Sequence, residues 1–208
     1  MNMLSLHKRL EENTGLLIFG ILVVSAIGGL VQVLPTLFQQ SLSTPGVNTR
    51  VYTAVELTGR DIYIREGCVG CHSQLVRPFR SETERYGEFS KAGEFVYDHP
   101  FQWGSKRTGP DLAREGAGSL KRMDSWHYNH MWDPRSMSSE SIMPRYPWMF
   151  SLDGNDATLN TSDTQAKLKA MQKLGVPYSN NYIENWQTEL EGQATQIANN
   201  LNADPNID

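Results

Sequence analysis

The sequence lacks an excess of basic residues. Its 208 residues include 19 Lys and Arg against 23 Asp and Glu, which gives a net charge of −4 and a pI near 5.7. Proteins that bind nucleic acid neutralise phosphates with clustered Lys and Arg, so this composition argues against nucleic-acid binding. Internal repeats and low-complexity tracts are also missing, and strand signals are few. The chain is long enough for about one domain plus an attachment, and its fold is predicted to be mostly α.

Ionisable side chains are absent from residues 15–38, "GLLIFGILVVSAIGGLVQVLPTLF". A helix of this length covers about 36 Å, which is enough to cross a hydrocarbon core of about 30 Å. A cleaved signal peptide is the alternative interpretation, but the apolar run is too long and no clear A-x-A cleavage site follows it. Residues 15–38 are therefore predicted to form a retained transmembrane anchor in the lipid bilayer.

Basic residues flank this anchor on one side only. Lys8 and Arg9 precede it, whereas the next basic residue after it is Arg50. The positive-inside rule then places the N-terminus in the cytoplasm and everything after Gln39 on the far side, which is the periplasm in a bacterium. The predicted organisation is a cytoplasmic N-terminus (1–14), a single-pass anchor in the inner membrane (15–38), a linker (39–50) and a periplasmic domain (51–208).

Four stretches of the predicted periplasmic domain have helical character. Ser162 is the predicted N-cap of the third stretch and Gly175 suits its C-terminal end. The last stretch is amphipathic, and Trp186 and Leu190 are expected to pack on the helix that precedes Cys68. No clear period is visible over residues 75–114, so loops and short turns are expected there. The predicted helices are 52–65, 120–132, 163–174 and about 182–200.

Cysteine is scarce, and both cysteines of the chain lie in "GCVGCHSQ", at positions 68 and 71. A disulfide between Cys68 and Cys71 would close a very small loop and stabilise the fold little. A redox dithiol usually lies in a β-α-β context, which is absent here, and a structural zinc site needs four ligands where only Cys68, Cys71 and His72 cluster. The remaining interpretation is C-x-x-C-H, the attachment motif of c-type haem.

The spacing of this motif has a physical reason. Two thiols add to the two vinyl groups along one edge of the macrocycle, and the next residue then lies beneath the iron. The motif therefore predicts one covalently bound haem c, with Cys68 and Cys71 as its thioethers and His72 as the proximal ligand of the iron. Covalent attachment of this kind agrees with the periplasmic side of the membrane.

A metal-bound histidine usually donates its other ring N–H to a carbonyl or carboxylate. The stretch "TGPDL", residues 108–112, is similar to the G-P-x-L loop of small c-type cytochromes, in which the proline carbonyl accepts that hydrogen bond. The similarity nominates Pro110 as the acceptor for His72. About 35 residues separate His72 from Thr108, where small cytochromes use far fewer, and a simple turn is the alternative.

Methionine opposite histidine raises the reduction potential of a haem and suits electron transfer. Met143 is the predicted distal ligand because it lies in "IMPRYPW", where two prolines stiffen an extended loop. Met137 and Met149 are the alternative methionines, since methionine also fills gaps in cores. Three histidines are rivals for bis-histidine ligation, and such residues more often occupy the surface or support a site: His99, His127 and His130.

Residues 59–116, with "MPRYPW" and the single N-terminal anchor, closely resemble the monohaem cytochrome c subunit of cbb3-type cytochrome c oxidases. The most specific stretch is "GEFVYDHPFQWGSKRTGPDL", and the resemblance covers about residues 1–150. It implies a membrane-anchored, cytochrome c-like haem domain with a long loop-rich insertion, in a mostly α chain. Its implied function is to carry electrons to the haem-copper subunit of a terminal oxidase, in aerobic or microaerobic respiration, with no catalytic residue of its own.

The resemblance also implies partners. These are a large polytopic haem-copper subunit, which reduces oxygen and pumps protons, a dihaem cytochrome c subunit, and donor cytochromes c. The long segment 73–107 then becomes a candidate docking or haem-propionate surface, with a solvated loop as the alternative. The family is associated with calcium near this interface, and oxygens around Ser105 are the place to look. The surface candidates are Arg77, Arg80, Arg85, Tyr86, Phe95, Tyr97, Trp103, Lys106 and Arg107, with Arg77 and Trp103 as the propionate contacts.

Two other functions stay open from the sequence. An independent membrane-tethered cytochrome c shuttle would need a longer flexible linker and no large insertion. A haem enzyme or gas sensor would need a vacant or labile sixth position at the iron, and binding of CO to the reduced protein would reveal it.

Overall fold

The computed structural model describes residues 3–75, 79–104, 107–116, 121–150, 159–205 and 207. Its described residues are mostly helical and form no β-strand, which confirms the predicted fold class. The chain divides into two units, the first ending at Pro45 and the second beginning at Gly46.

The first unit contains the predicted anchor. Helix α1 spans Met3–Glu12 and helix α2 spans Thr14–Leu37. Asn13 caps α2, because its side-chain oxygen accepts a hydrogen bond from the Leu16 amide at 3.1 Å. An 18-residue window of α2 has a mean hydropathy of 2.5, and within the described ranges α2 alone is long and apolar enough to cross a membrane. A short 3-10 turn, Gln40–Leu42, follows.

Seven further α-helices form the framework of the second unit, within the described residues. Three of them are long enough to build a core, and the others are short connecting helices. An isolated bridge pairs Gln74 with Trp103. The helices are α3 (Ala54–Arg65), α4 (Arg80–Tyr86), α5 (Leu112–Glu115), α6 (Asp124–Trp132), α7 (Pro134–Met137), α8 (Thr164–Lys173) and α9 (Asn180–Asn202).

Helix α3 leads into the cysteine motif and has well-defined ends. A capping box starts it, since the Thr53 hydroxyl accepts from the Glu56 amide and the Glu56 carboxylate accepts from the Thr53 amide at 2.9 Å. Gly67 ends it with φ +74°, a left-handed conformation that favours glycine. The chain therefore leaves the helix in a fixed direction directly before Cys68.

The core of the second unit is formed by α3, α8 and α9. Leu168 of α8 is fully buried, and Trp186 of α9 packs in the same cluster as Leu57 of α3, with Leu190 at its edge. The prediction that Trp186 and Leu190 pack on the helix before Cys68 is confirmed. The C-terminal helices thus complete the domain around α3. The buried cluster is Ala54, Leu57, Leu168, Met171, Val176, Tyr178, Ile183 and Trp186.

Some predicted details of the helices are wrong. The N-cap of α8 is Asp163, without a side-chain cap, because the Ser162 hydroxyl instead donates to Asn160 Oδ1 at 2.8 Å. The last helix starts earlier than predicted, since Ser179 caps it by accepting from the Tyr182 amide. The expected loop region over 75–114 also contains α4 and α5. Gly175 has φ +96° at the end of α8, as its predicted role requires.

A buried ion pair ties α3 to the segment that leads to Trp103. Arg60 Nε lies 2.6 Å from Asp98 Oδ1, and both side chains are less than a tenth exposed. The hydroxyl of Tyr52 donates to Asp98 Oδ2 at 3.2 Å, and Arg60 also donates to the Pro100 carbonyl at 2.7 Å. These contacts fix the 95–104 segment against the helix that carries the cysteine motif.

Candidate haem site

The two thiols and the histidine lie on one tight turn, residues 67–72, called here the attachment turn. The Cys68 carbonyl accepts from the Cys71 amide at 3.1 Å and from the His72 amide at 2.8 Å. Both cysteines are free thiols, Cys68 half-buried and Cys71 exposed. The backbone therefore presents two reduced sulfurs and an imidazole within one turn of chain.

The other uses of a cysteine pair fit this geometry poorly. Burial raises the pKa of the Cys68 thiol, whereas a reactive dithiol needs a lowered pKa. In the described part of the chain, no group of three or more His, Cys, Asp or Glu side chains could hold a metal ion. A thiol–imidazole zinc site of the usual four ligands therefore has no counterpart among these residues.

The ring of His72 is oriented from one side by the 108–110 loop. Its Nδ1 lies 2.9 Å from the Pro110 carbonyl oxygen. A carbonyl only accepts, so Nδ1 carries the proton and the lone pair of Nε2 stays available to a metal. The loop itself is anchored to the attachment turn, because the Cys71 carbonyl accepts from the amides of Thr108 and Gly109 at 3.0 and 2.8 Å.

Gly109 is a further determinant of the site that sequence reasoning did not single out. A Cβ added there would lie 2.2 Å from His72 Cε1, so the ring occupies the space of the missing side chain. The signal was present in "TGPDL", where a glycine directly precedes the proline acceptor. Only glycine allows the loop backbone and the imidazole to approach this closely.

A buried ionic network holds the 108–110 loop in place. Arg107 donates from Nε to the Ser73 carbonyl at 3.3 Å, pairs with Glu82, and lies 3.5 Å from Asp111. Asp111 in turn accepts from the Ser90 hydroxyl and from the Ala113 amide. Arg107 therefore links the residue after His72 to the residue after Pro110.

Two of the residues predicted to lie on the docking surface are buried inside the domain. The side chain of Arg107 is 5% exposed and all three of its nitrogens have partners within the chain. Phe95 is 5% exposed and packs inside the domain. The predicted interface roles of Arg107 and Phe95 are therefore wrong, because ion pairs hold Arg107 inside the domain and packing buries Phe95.

Trp103 is placed beside the attachment turn by its bridge to Gln74. Gln74 donates its amide to the Gln102 carbonyl at 3.0 Å, and its carbonyl accepts from the Gly104 amide at 3.1 Å. The indole stacks on Phe101 with ring centroids 4.3 Å apart. Its Nε1 is buried and has no hydrogen-bond partner among the described residues. A buried donor without a partner inside the chain suits an acceptor that the chain does not itself supply.

The other predicted surface residues have varied positions. Arg80 is exposed and pairs with Glu84, Arg85 is exposed, and Tyr97 packs at the edge of the core. Arg77, Ser105 and Lys106 lie outside the described residues, as does the side chain of Tyr86. The propionate role of Arg77 and calcium at Ser105 stay predictions of the resemblance.

The predicted distal ligand lies in a loop, residues 143–149, that contacts the attachment turn. Met143 is half-buried. The Tyr146 hydroxyl is hydrogen-bonded to Cys68, and Trp148 Nε1 donates to Glu66 Oε2 at 3.0 Å. On its other side the loop is tied to α6, because the Met131 carbonyl accepts from the Tyr146 amide at 3.0 Å.

The alternative ligands differ in their surroundings. Met137 is 38% exposed at the end of α7, and Met149 is half-buried in a 3-10 turn, Pro147–Met149. His127 is exposed. The ring of His130 stacks on Trp126 with centroids 4.5 Å apart, and its buried Nδ1 has no partner in the described ranges. Burial lowers the pKa of His130, and the charge of His72 is a second, smaller cause.

Taken together, these residues fit a covalently attached haem. The attachment turn offers two free sulfurs, and the 108–110 loop leaves the Nε2 of His72 free for a metal. Gly109 provides the space for the ring, and Trp103 supplies a buried donor that has no partner in the described part of the chain.

Comparison with known families gives a match over nearly the whole chain. The family model described as cytochrome C oxidase, mono-heme subunit/FixO matches residues 7–207. No curated protein matches the chain. The family match covers α2, the attachment turn, the 143–149 loop and the C-terminal helices. The chain therefore belongs to the FixO family of mono-haem cytochrome c oxidase subunits.

Proposed function

We propose that this chain is the membrane-anchored electron-transfer subunit of a cbb3-type oxidase and that it passes electrons to the haem-copper catalytic subunit. The family match over residues 7–207, which includes both the apolar helix α2 and the attachment turn, carries this proposal. The chain contributes no catalytic residue, because oxygen reduction takes place in another subunit.

In this proposal each residue of the site has one role. Cys68 and Cys71 form the two thioethers, and Nε2 of His72 is the proximal donor to the iron. Pro110 fixes the tautomer and orientation of His72 through the 2.9 Å contact with Nδ1. Met143 is the distal donor. The bound haem c supplies a one-electron carrier whose potential a thioether opposite histidine raises.

Two side chains around the site, Trp103 and Tyr63, support the haem and the backbone of its histidine ligand. Trp103 Nε1 is the donor for a haem propionate, which explains why this buried nitrogen has no partner in the described part of the chain. Tyr63 donates its hydroxyl to the His72 carbonyl at 2.6 Å and so fixes the backbone below the imidazole. A rigid setting of this kind limits reorganisation when the charge of the site changes.

The proposed topology follows the distribution of basic residues. Lys8 and Arg9 stay in the cytoplasm, α2 spans the inner membrane and the second unit lies in the periplasm. There it would meet donor cytochromes c and the dihaem subunit, while α2 lies beside the large polytopic subunit.

A tethered shuttle is the second candidate, and the linker argues against it. The Gly46 amide and the Thr49 hydroxyl both donate to the Gly93 carbonyl, at 2.8 and 3.1 Å. The second half of the predicted linker, residues 39–50, is therefore hydrogen-bonded to the domain. The segment left for a flexible tether is too short for long excursions.

Purification of the natural complex in mild detergent distinguishes the two functions. We expect the chain to co-elute with b-type haem, copper and a dihaem cytochrome c at constant stoichiometry. Elution of this chain alone, with full haem c content and no b-type haem or copper in any shared fraction, would support the shuttle instead.

A further inference from the structure

The 143–149 loop is held on two sides by hydrogen bonds, to α6 on one side and to the attachment turn and Glu66 on the other. Arg145 Nε donates to the Trp132 carbonyl at 3.1 Å and Tyr146 donates its amide to the Met131 carbonyl, so the loop is tied to the end of α6. On the opposite side Tyr146 is hydrogen-bonded to Cys68 and Trp148 to Glu66.

Glu66 receives one of these contacts and is itself rigidly placed. It caps α3, its amide donates to the Ile62 carbonyl at 2.8 Å, and its side chain is only 17% exposed. One carboxylate oxygen, Oε1, pairs with Arg65 at 2.8 Å, which leaves Oε2 for Trp148. The two oxygens of the carboxylate therefore have different partners, Arg65 on its own helix and Trp148 on the loop.

Packing alone places Trp148 only loosely. The residue is 57% exposed, so more than half of its surface stays in contact with water. Its described contacts are the hydrogen bond from Nε1 to Glu66 and an edge contact with Tyr146 at 5.2 Å. A charged acceptor makes this hydrogen bond stronger than a neutral one would be.

We propose that Glu66 and Trp148 form a clamp that keeps the 143–149 loop closed over the attachment turn and so holds Met143 at the iron. Both are positioning residues, and the proposal rests on the assignment of Met143 as the distal ligand. A thioether binds weakly and leaves when its loop opens. Any contact made only in the closed state shifts the population toward the ligated form.

Competition by imidazole for the ferric, full-length protein in detergent measures this closed population. The loop must open before imidazole can replace Met143, so a weaker clamp raises the apparent affinity for imidazole. For Trp148→Phe and for Glu66→Ala we expect affinity about tenfold higher than in the parent protein, the scale of one lost charge-assisted hydrogen bond. The double variant should match the single variants, because both remove the same contact.

Two controls separate the clamp from general effects. Glu66→Gln keeps an acceptor for the indole, so its affinity for imidazole should stay close to that of the parent protein. Glu184→Ala removes an exposed carboxylate of α9 and should change nothing. Far-ultraviolet circular dichroism and haem content establish that every variant is folded and loaded.

The outcomes distinguish the clamp from the function on which it rests. A parent protein without the weak near-infrared sulfur-to-iron band overturns Met143 as ligand, and the clamp with it. A parent protein with that band, combined with unchanged imidazole affinity in Trp148→Phe and Glu66→Ala, overturns the clamp alone. Effects that simply add in the double variant also overturn it, since independent effects do not describe one shared contact.

Discussion

The imidazole of His72 lies directly on the backbone of Gly109. A Cβ at residue 109 would come within 2.2 Å of Cε1, 2.6 Å of Nδ1 and 2.7 Å of Nε2. The adjacent Pro110 accepts the hydrogen bond from Nδ1, so one loop both supports the ring and fixes its tautomer. The orientation of the proximal histidine is therefore set by a loop far along the chain as well as by the attachment turn.

Replacing this glycine should disturb the site. In Gly109→Ala the methyl group overlaps the ring, so His72 or the 108–110 loop must shift. We expect the free energy of unfolding of the loaded protein to fall by about 1–3 kcal/mol, the usual cost of overpacking, and the haem absorption bands to change. Gly59→Ala is the matched control, because α3 leaves its added Cβ in open space. Equal stability of the two variants would contradict the predicted overlap.

Removal of the distal thioether should have a spectroscopic signature. Met143→Ala is expected to abolish the near-infrared sulfur-to-iron band of the oxidised protein and to lower its reduction potential, because the thioether favours the reduced iron. Met137→Ala and Met149→Ala serve as controls and should keep the band. A band that survives in Met143→Ala would exclude this assignment and direct attention to another methionine.

The indole nitrogen of Trp103, which has no partner among the described residues, gives a test of the propionate contact. Trp103→Phe removes Nε1 but keeps a ring that can stack on Phe101. A donor to an anionic propionate weakens the stabilisation of oxidised iron by that charge, so its loss should lower the reduction potential. Phe101→Leu removes the stacking partner and keeps the N–H. If only Phe101→Leu shifts the potential, the role of Trp103 is packing and no propionate contact exists.

The buried pair of Arg60 and Asp98 should be important for stability. Asp98→Asn leaves the guanidinium of Arg60 nearly fully buried without a counter-charge, and such losses cost about 3–5 kcal/mol. Chemical denaturation of the loaded protein measures this change. Arg80→Ala breaks an exposed pair with Glu84 and should cost less than about 1 kcal/mol. Similar losses in both variants would show that burial of the pair has no special effect.

Glu56 predicts a pH dependence of stability. Burial acts to raise its pKa, but hydrogen bonds from Arg50 and from the Thr53 amide outweigh burial and leave the pKa below its ordinary 4.5. A lowered carboxyl pKa means that its stabilisation is present above pH 4.5 and is lost as the pH falls through the folded value.

Thermal unfolding between pH 7 and pH 3 tests this prediction. In Glu56→Gln the decline of stability below pH 4.5 should be shallower than in the parent protein, because one carboxylate that favours folding no longer titrates. Glu184→Gln, at an exposed position of α9, provides the control. An identical acid limb in the parent and Glu56→Gln proteins would show that the capping box does not depend on charge.

Local signals in the sequence predicted much of the framework. The uncharged stretch 15–38 predicted α2, and the apolar spacing around Trp186 predicted the helix that packs on α3, because both patterns depend on residues close together in the chain. The ends of helices were harder. Ser162 has the chemistry of an N-cap, but a nearby asparagine competes for its hydroxyl.

Most contacts between distant residues were beyond the reach of sequence patterns, and the contact of His72 with Pro110 was predicted only because its loop is similar to a known one. Arg107 was predicted to lie on a docking or propionate surface because the long segment 73–107 is rich in arginine and aromatic residues, yet Glu82, Asp111 and the Ser73 carbonyl together satisfy it in the interior. Glu66 and Trp148 are 82 positions apart, so no periodicity joins them. The role of Gly109 could not be predicted for the same reason, because only the folded backbone shows that the His72 ring occupies the space beside it.

The bridge between Gln74 and Trp103 changes the meaning of the long interval between His72 and Pro110. Gln74 and Trp103 are neighbours across this bridge, so the two ends of the interval meet beside the attachment turn. The segment is thus a side excursion from the haem site. Its described part still supplies Glu82, Ser90 and Asp98 to buried contacts of the domain, so any change that suits a neighbouring subunit must keep these three anchors.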